Sequence, residues 1–377
     1  MRAFANAFLA LFAADAVVSV LGAGLGLVGV DLPWPLTSLR GALDGGVVLA
    51  ALPLYVLLGL TPRLPKRVFL PLALFTFWAV LGALPLPVYL STPQLAAVVA
   101  VAQLAMAGLA FALVRQRTGT RWLLAERDLV PGPLVSARNV GVFALLNAVV
   151  VLPAVLALLL GSAALAVNRL SAGFLRLDTS GLYAAARVYE RGDQSVQLIG
   201  MMHIGGRDFY DEVKTLLPAE DAVVLREGVS DREGHLPRGL DYGRLAGELG
   251  LDTQAEVLDL GDRVVQSADV DLAEFDPRTR DLLRDVGELF ASKNGSEAVA
   301  RYLRLSRGIK PEDLEIVQRD VIERRNAHLL GELDSALATH RAVIVPWGAA
   351  HMPELEQGVI ERGFALRESR ELQILAF

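Results

Sequence analysis

The 377-residue chain contains no cysteine, so disulfide scaffolds, thiolate metal sites and cysteine nucleophiles are excluded. Charge is scarce in its first part: residues 1–170 hold 11 Lys and Arg and 5 Asp and Glu, against 25 and 37 in the remaining 207 residues. Histidine is missing from that part altogether, since His203, His235, His328, His340 and His351 all come later. There is no solenoid-type repeat and no low-complexity tract, and the absence of a basic soluble region argues against nucleic-acid binding. A mean hydropathy of +0.42 with 53% hydrophobic residues exceeds that of an ordinary soluble globule. The chain therefore reads as a membrane-embedded half, residues 1–170, joined to a soluble domain, residues 175–377.

Five apolar stretches, near 4–30, 45–60, 68–90, 94–114 and 139–167, approach the roughly 20 residues that cross a bilayer as a helix. The first resembles a signal peptide at its start but stays apolar to Val30, which predicts an uncleaved anchor. Arg2, Arg63, Lys66, Arg67, Arg115, Arg117, Arg121, Arg127 and Arg138 fall on one side of these spans, with few basic residues on the other. For a multi-pass protein of the cell (plasma or inner) membrane, that bias places the amino terminus in the cytoplasm and everything after residue 170 outside it. Asp15 is the one carboxylate well inside a span, and with no partner in view it reads as a packing contact rather than a transport site.

Beyond residue 175 the apolar period changes. Leu182–Tyr189 and Val196–Met201 flank Gly192-Asp193 and read as a hairpin, followed by a helix over 208–217 that Pro218 stops. Ala222–Leu225 is a short buried strand, and the strand, helix, strand order predicts a parallel pair in an α/β sheet. Helices are expected over 242–249, 277–290, 296–305, 311–333 and 353–361, with strands at 342–345 and 372–377.

Two histidines share a context. Gly200-Met-Met-His203 and Gly348-Ala-Ala-His351 each end an apolar strand and precede a helix, so both imidazoles come to the carboxyl ends of strands, where open α/β sheets bind ligands. Two imidazoles on one rim suit a divalent metal, and Glu227, just past the strand 222–225, could complete a His, His, carboxylate set or act as general base on a metal-bound water.

These motifs, with Gln266-Ser-Ala-Asp-Val-Asp-Leu272, Glu323-Arg-Arg-Asn326 and Arg362-Gly-Phe364, resemble the TraB/PrgY/GumN family, which includes the Tiki membrane-anchored metalloproteases and is related to erythromycin esterase-like and ChaN-like proteins. The resemblance covers about residues 175–377. It implies an α/β domain of the TraB/Tiki type with His203, His351 and Glu227 as metal ligands for Mn, Co, Zn or Fe. It also implies catalytic roles for Glu227, Arg325 and Asn326, with Asp271 as a recurrent acid. The expectation is a membrane-anchored, metal-dependent hydrolase that cuts a peptide or protein substrate on the extracytoplasmic side. The alternative is a membrane protein that sequesters a secreted peptide without cleaving it.

Overall fold

The computed structural model describes every residue except 218–221, 237–241, 261–262 and 293, so the expected stop at Pro218 lies outside the described residues. The chain divides into two compact units, Met1–Leu165 and Ala166–Phe377.

The first unit is helical: α1 (Arg2–Leu27), α2 (Trp34–Leu60), α3 (Lys66–Val80), α4 (Thr92–Thr118), α5 (Ala137–Leu146) and α6 (Leu152–Leu170), the last two continuous through a π turn at Asn147–Val151. Four helical runs, α1, α2, α4 and the joined Ala137–Leu170, are long and apolar enough to cross a membrane. The expected third span contracts to α3, whose 15 residues rise only about 22 Å before Leu81 leaves the helix. Pro85 and Pro87, which follow, withhold the N–H groups that a longer helix would need.

Phe8, Phe12, Leu54, Leu58, Phe69 and Leu72 fill the interior of this unit, while Leu49, Leu109, Leu145 and Leu160 stay exposed on its outside. A bundle that is apolar within and without suits a lipid solvent, because in water such an exterior would drive association. Asp15 does have a partner: Gln103 Nε2 on α4 donates to Asp15 Oδ2 at 2.8 Å, joining two helices inside the bundle.

The second unit is a mixed α/β domain. Its strands are β1 (Leu175–Asp178), β2 (Gly181–Arg191), β3 (Gln194–Met201), β4 (Ile204–Gly205), β5 (Ala222–Arg226), β6 (Asp252–Thr253), β7 (Val264–Ser267), β8 (Ala342–Gly348) and β9 (Ala365–Ala376). Its helices are α7 (Arg207–Thr215), α8 (Gly243–Leu249), α9 (Gln254–Val257), α10 (Pro277–Phe290), α11 (Gly295–Gly308), α12 (Pro311–Gln318), α13 (Arg325–Leu337) and α14 (Met352–Glu361). The main sheet runs β1-β2-β3-β8-β5-β7, with β9 also paired to β2. β3, β8, β5 and β7 are parallel, and the β1, β2, β3 and β9 pairings are antiparallel. The short β4 and β6 form a separate pair.

The hairpin forms as expected, with Gly192 at φ +63 supplying the left-handed turn residue. The expected neighbours 196–201 and 222–225 are parallel but not adjacent, because β8 enters between them. β5 and β8 are buried on both faces, which is why each reads as an unbroken apolar run. Leu329, Leu333, Met352, Leu355 and Val359 cover one face from α13 and α14, and Phe209, Tyr210 and Val213 of α7 lie in the core on the other. The expected single helix over 311–333 is α12 and α13 joined by a π turn at Arg319–Arg324. The last strand starts earlier than expected, at Ala365, because it pairs along nearly the whole of β2.

Candidate active site

The carboxyl ends of β3, β8 and β5 lie side by side, with Met201 opposite Gly348 in the β3–β8 register. Glu227 follows β5 and is nearly buried. Its Oε2 accepts the Gly348 N–H at 2.6 Å and its Oε1 accepts from Arg325 Nη2 at 2.8 Å. A Cβ at Gly348 would stand 3.5 Å from Glu227 Oε2 and 3.6 Å from the His351 ring, in ordinary van der Waals contact with both.

His351 lies at the start of α14, buried against Trp347. Asn326 Nδ2 donates to Glu354 Oε2 at 2.7 Å, so its Oδ1 faces the imidazole and accepts from His351 Nδ1, also at 2.7 Å. The proton is thereby fixed on Nδ1 and the lone pair on Nε2. Burial, then the charge of Arg325, pulls the His351 pKa down to about 4, which keeps the ring neutral near pH 7.

Arg325 binds these parts together from the first turn of α13. Its Nε and Nη2 donate to the two oxygens of Asp269 at 2.9 and 2.7 Å, a bidentate pair with a carboxylate wholly removed from solvent. Nη2 also donates to Glu227, while Nη1 donates to His351 Nε2 at 3.0 Å and to the Val321 carbonyl at 3.4 Å. All five N–H groups of the guanidinium are thus engaged. The π turn at 319–324 ends at this residue, a frequent position for such turns near functional groups.

The structure therefore brings Glu227, Arg325, Asn326 and His351 together. His203 lines the same cleft at the end of β3, but its exposed ring stacks on Tyr242, with centroids 5.0 Å apart and 14° between planes, and has no hydrogen bond to Glu227 or His351. Burial, then the Glu227 charge, raises the Tyr242 pKa. Asp271 is not part of the cluster: it accepts from Ser230 Oγ and from the Ala273 N–H, so it braces the loop after Glu227. The acid that matters is Asp269, two residues earlier, and Glu354 behind Asn326 is the other residue that the motifs do not reveal.

A divalent metal fits this arrangement poorly. His351 Nε2 and Glu227 Oε1, 3.7 Å apart, have the right donor chemistry, yet the guanidinium of Arg325 already donates to both atoms. Among the described residues no three His, Asp or Glu side chains converge on a metal position. A dication would have to displace a cation that two carboxylates hold.

Glu227, Arg325 and His351 line a cleft of about 1510 Å³, larger than the roughly 300–1,000 Å³ typical of small-molecule sites. Leu236, Leu272, Phe275, Leu283 and Val321 line one part of it and Leu245, Leu258 and Leu260 another. No family model, curated protein or solved structure matches the chain.

Proposed function

We propose that the protein is a membrane-anchored hydrolase of the TraB/PrgY/GumN type, cutting peptide bonds outside the cytoplasm in the cleft around Arg325. The observation that carries this reading is a neutral imidazole, oriented by Asn326, whose unprotonated Nε2 lies 3.0 Å from the one guanidinium of the cluster. An entering carbonyl oxygen that accepts the Arg325 Nη1–H takes that proton donor away from Nε2. The freed lone pair then accepts a proton from water as the water attacks the carbonyl carbon, and Arg325 stabilises the oxyanion that forms. Return of the proton from His351 to the leaving nitrogen completes the cleavage. Glu227 and Asp269 hold the guanidinium in place, and no metal enters these steps.

The cell-membrane location rests on the four apolar helical runs, and the orientation on the basic residues at one end of them. α3 and residues 81–91 together make the remaining crossing, since α4 ends, like α3 begins, at a basic segment. Five crossings put the second unit outside, and a periplasm-active reporter fused after Phe377 should be active. The hydrolase reading is tested by incubating the full-length chain with a peptide library and searching for fragments that disappear with His351→Gln.

A second reading, retention of a peptide without cleavage, is favoured by one observation: every N–H of Arg325 already has a partner within the protein. It predicts captured, intact peptides in the same experiment.

A further inference from the structure

β7 is the last strand of the main sheet and pairs only with β5 among the described residues. The backbone groups along its far side have no strand partner, which makes it a template for another extended chain. Protein sheets usually blunt such an edge with charge. The long outer strand of this sheet, β9, does so with exposed Arg367, Glu368, Arg370 and Glu371. β7 is Val264-Val265-Gln266-Ser267, with no charge and with Val264 and Val265 exposed at 57% and 36%.

The edge also leads into the site. Val265 lines the cleft, and β7 runs parallel to β5, whose end delivers Glu227. Two residues beyond β7 comes Asp269, which grips Arg325. A chain hydrogen-bonded along β7 therefore leaves the edge at the same end of the sheet as Glu227 and Asp269.

We infer that the cleft takes its substrate as an extended, apolar peptide segment that adds a strand to the β7 edge and presents the next peptide bond to Arg325. This rests on the hydrolase reading above, and it selects a peptide over a lipid ester or sugar, neither of which has backbone N–H and C=O groups at strand spacing. Pairing through backbone groups gives affinity, and the leucine-lined walls receive the side chains.

The test uses the full-length chain in lipid nanodiscs and a library of apolar heptapeptides blocked at both ends. For a peptide that is cleaved, or retained, in a His351-dependent way, single N-methyl groups are scanned along its backbone. N-methylation at alternate positions within one four-residue stretch should raise KM, or Kd, at least tenfold, and methylation at the intervening positions should have little effect. Amide hydrogen exchange should slow at least tenfold with the peptide bound at those of residues 264–267 whose N–H groups point away from β5. Equal tolerance of every N-methyl position, or unprotected 264–267 amides, with His351-dependent cleavage intact, would overturn the inference and leave the hydrolase reading standing. Protection of those amides without peptide, lost on dilution, would assign the edge to a second copy of this chain and also overturn it. A library from which nothing is cleaved or retained would remove both.

Discussion

Arg325 Nη1 donates to His351 Nε2 at 3.0 Å, so the cation of the site rests on the lone pair that a base or a metal ligand would use. One arginine masks the imidazole, pairs with Glu227 and is itself held by the buried Asp269. Its departure from Nε2 is the step on which the proposed chemistry depends.

The orientation of His351 is set by Asn326, and Asn326 by Glu354. Replacing Asn326 with Leu removes the acceptor that orients the ring and leaves the buried Nδ1–H unpaired, so Nε2 is no longer held toward Arg325. We expect kcat to fall by about 10² or more with KM little changed, as for other losses of a group that orients a catalytic histidine. Asn326→Gln, which keeps both an acceptor oxygen and an N–H donor for Glu354, should recover part of the loss. Steady-state kinetics on a cleaved peptide checks this, and equal losses in the two variants would contradict it.

Asp269 has no solvent exposure at its side chain and carries two of the five bonds to Arg325. Asp269→Asn leaves the arginine with Glu227 as its only anionic partner. Breaking one side of a buried ion pair costs about 3–5 kcal/mol, which for a unit of this size lowers Tm by roughly 6–20 °C. Calorimetry of the full-length chain should resolve this in the transition of the second unit. Asp271→Asn, at a brace outside the cluster, should shift that transition far less.

His351 also gives stability a pH dependence. The folded ring titrates at about 4, whereas the unfolded ring binds its proton below about 6.5. Between those values the unfolded state holds more protons, so stability is full above about pH 6.5 and falls as the pH is lowered toward 4. The ceiling on the loss is roughly 3.5 kcal/mol, at about 1.4 kcal/mol per pH unit. Thermal unfolding at pH 7.5 and 4.5 should show that drop in the wild type and a smaller one in His351→Gln.

Much of this site is legible in the sequence. His351 of the second Gly-x-x-His, Glu227 after a buried strand and Arg325-Asn326 on a helix come together, because each is fixed by local patterns of strand, turn and helix. Asp269 is not legible. It shares Ala268-Asp-Val-Asp271 with a second acid, and the choice between them depends on where the four-residue β7 stops against β5. β1 and β7 are too short to show a period, and the insertion of β8 between β3 and β5 is a long-range pairing. The strand-end placement of His203 follows from its motif, but its stacking on Tyr242 involves a residue 39 positions on. In the membrane half the apolar runs mark the helices, while the short α3 reflects how the chain turns at Leu81–Leu90 and not a change in hydropathy.

The expected metal site gives a direct prediction. With Arg325 in place, the purified full-length chain should bind Mn, Co, Zn or Fe weakly and well below one ion per chain. Arg325→Ala removes the cation and exposes His351 Nε2 and Glu227, and metal affinity should rise at least tenfold. Elemental analysis and calorimetric titration decide this, and a tightly held ion in the wild type that is lost in His351→Ala would restore the three-ligand site of His203, His351 and Glu227.

The central claim is that the Arg325–His351 pair cleaves peptide bonds, and mass spectrometry of the apolar peptide library after incubation with the full-length chain tests it most directly. The account predicts fragments cut at one bond by the wild type, reduced at least 10²-fold by His351→Gln and by Arg325→Met at unchanged fold. Intact peptides recovered with the wild-type chain, or fragments that persist at the same rate in both variants, would contradict it.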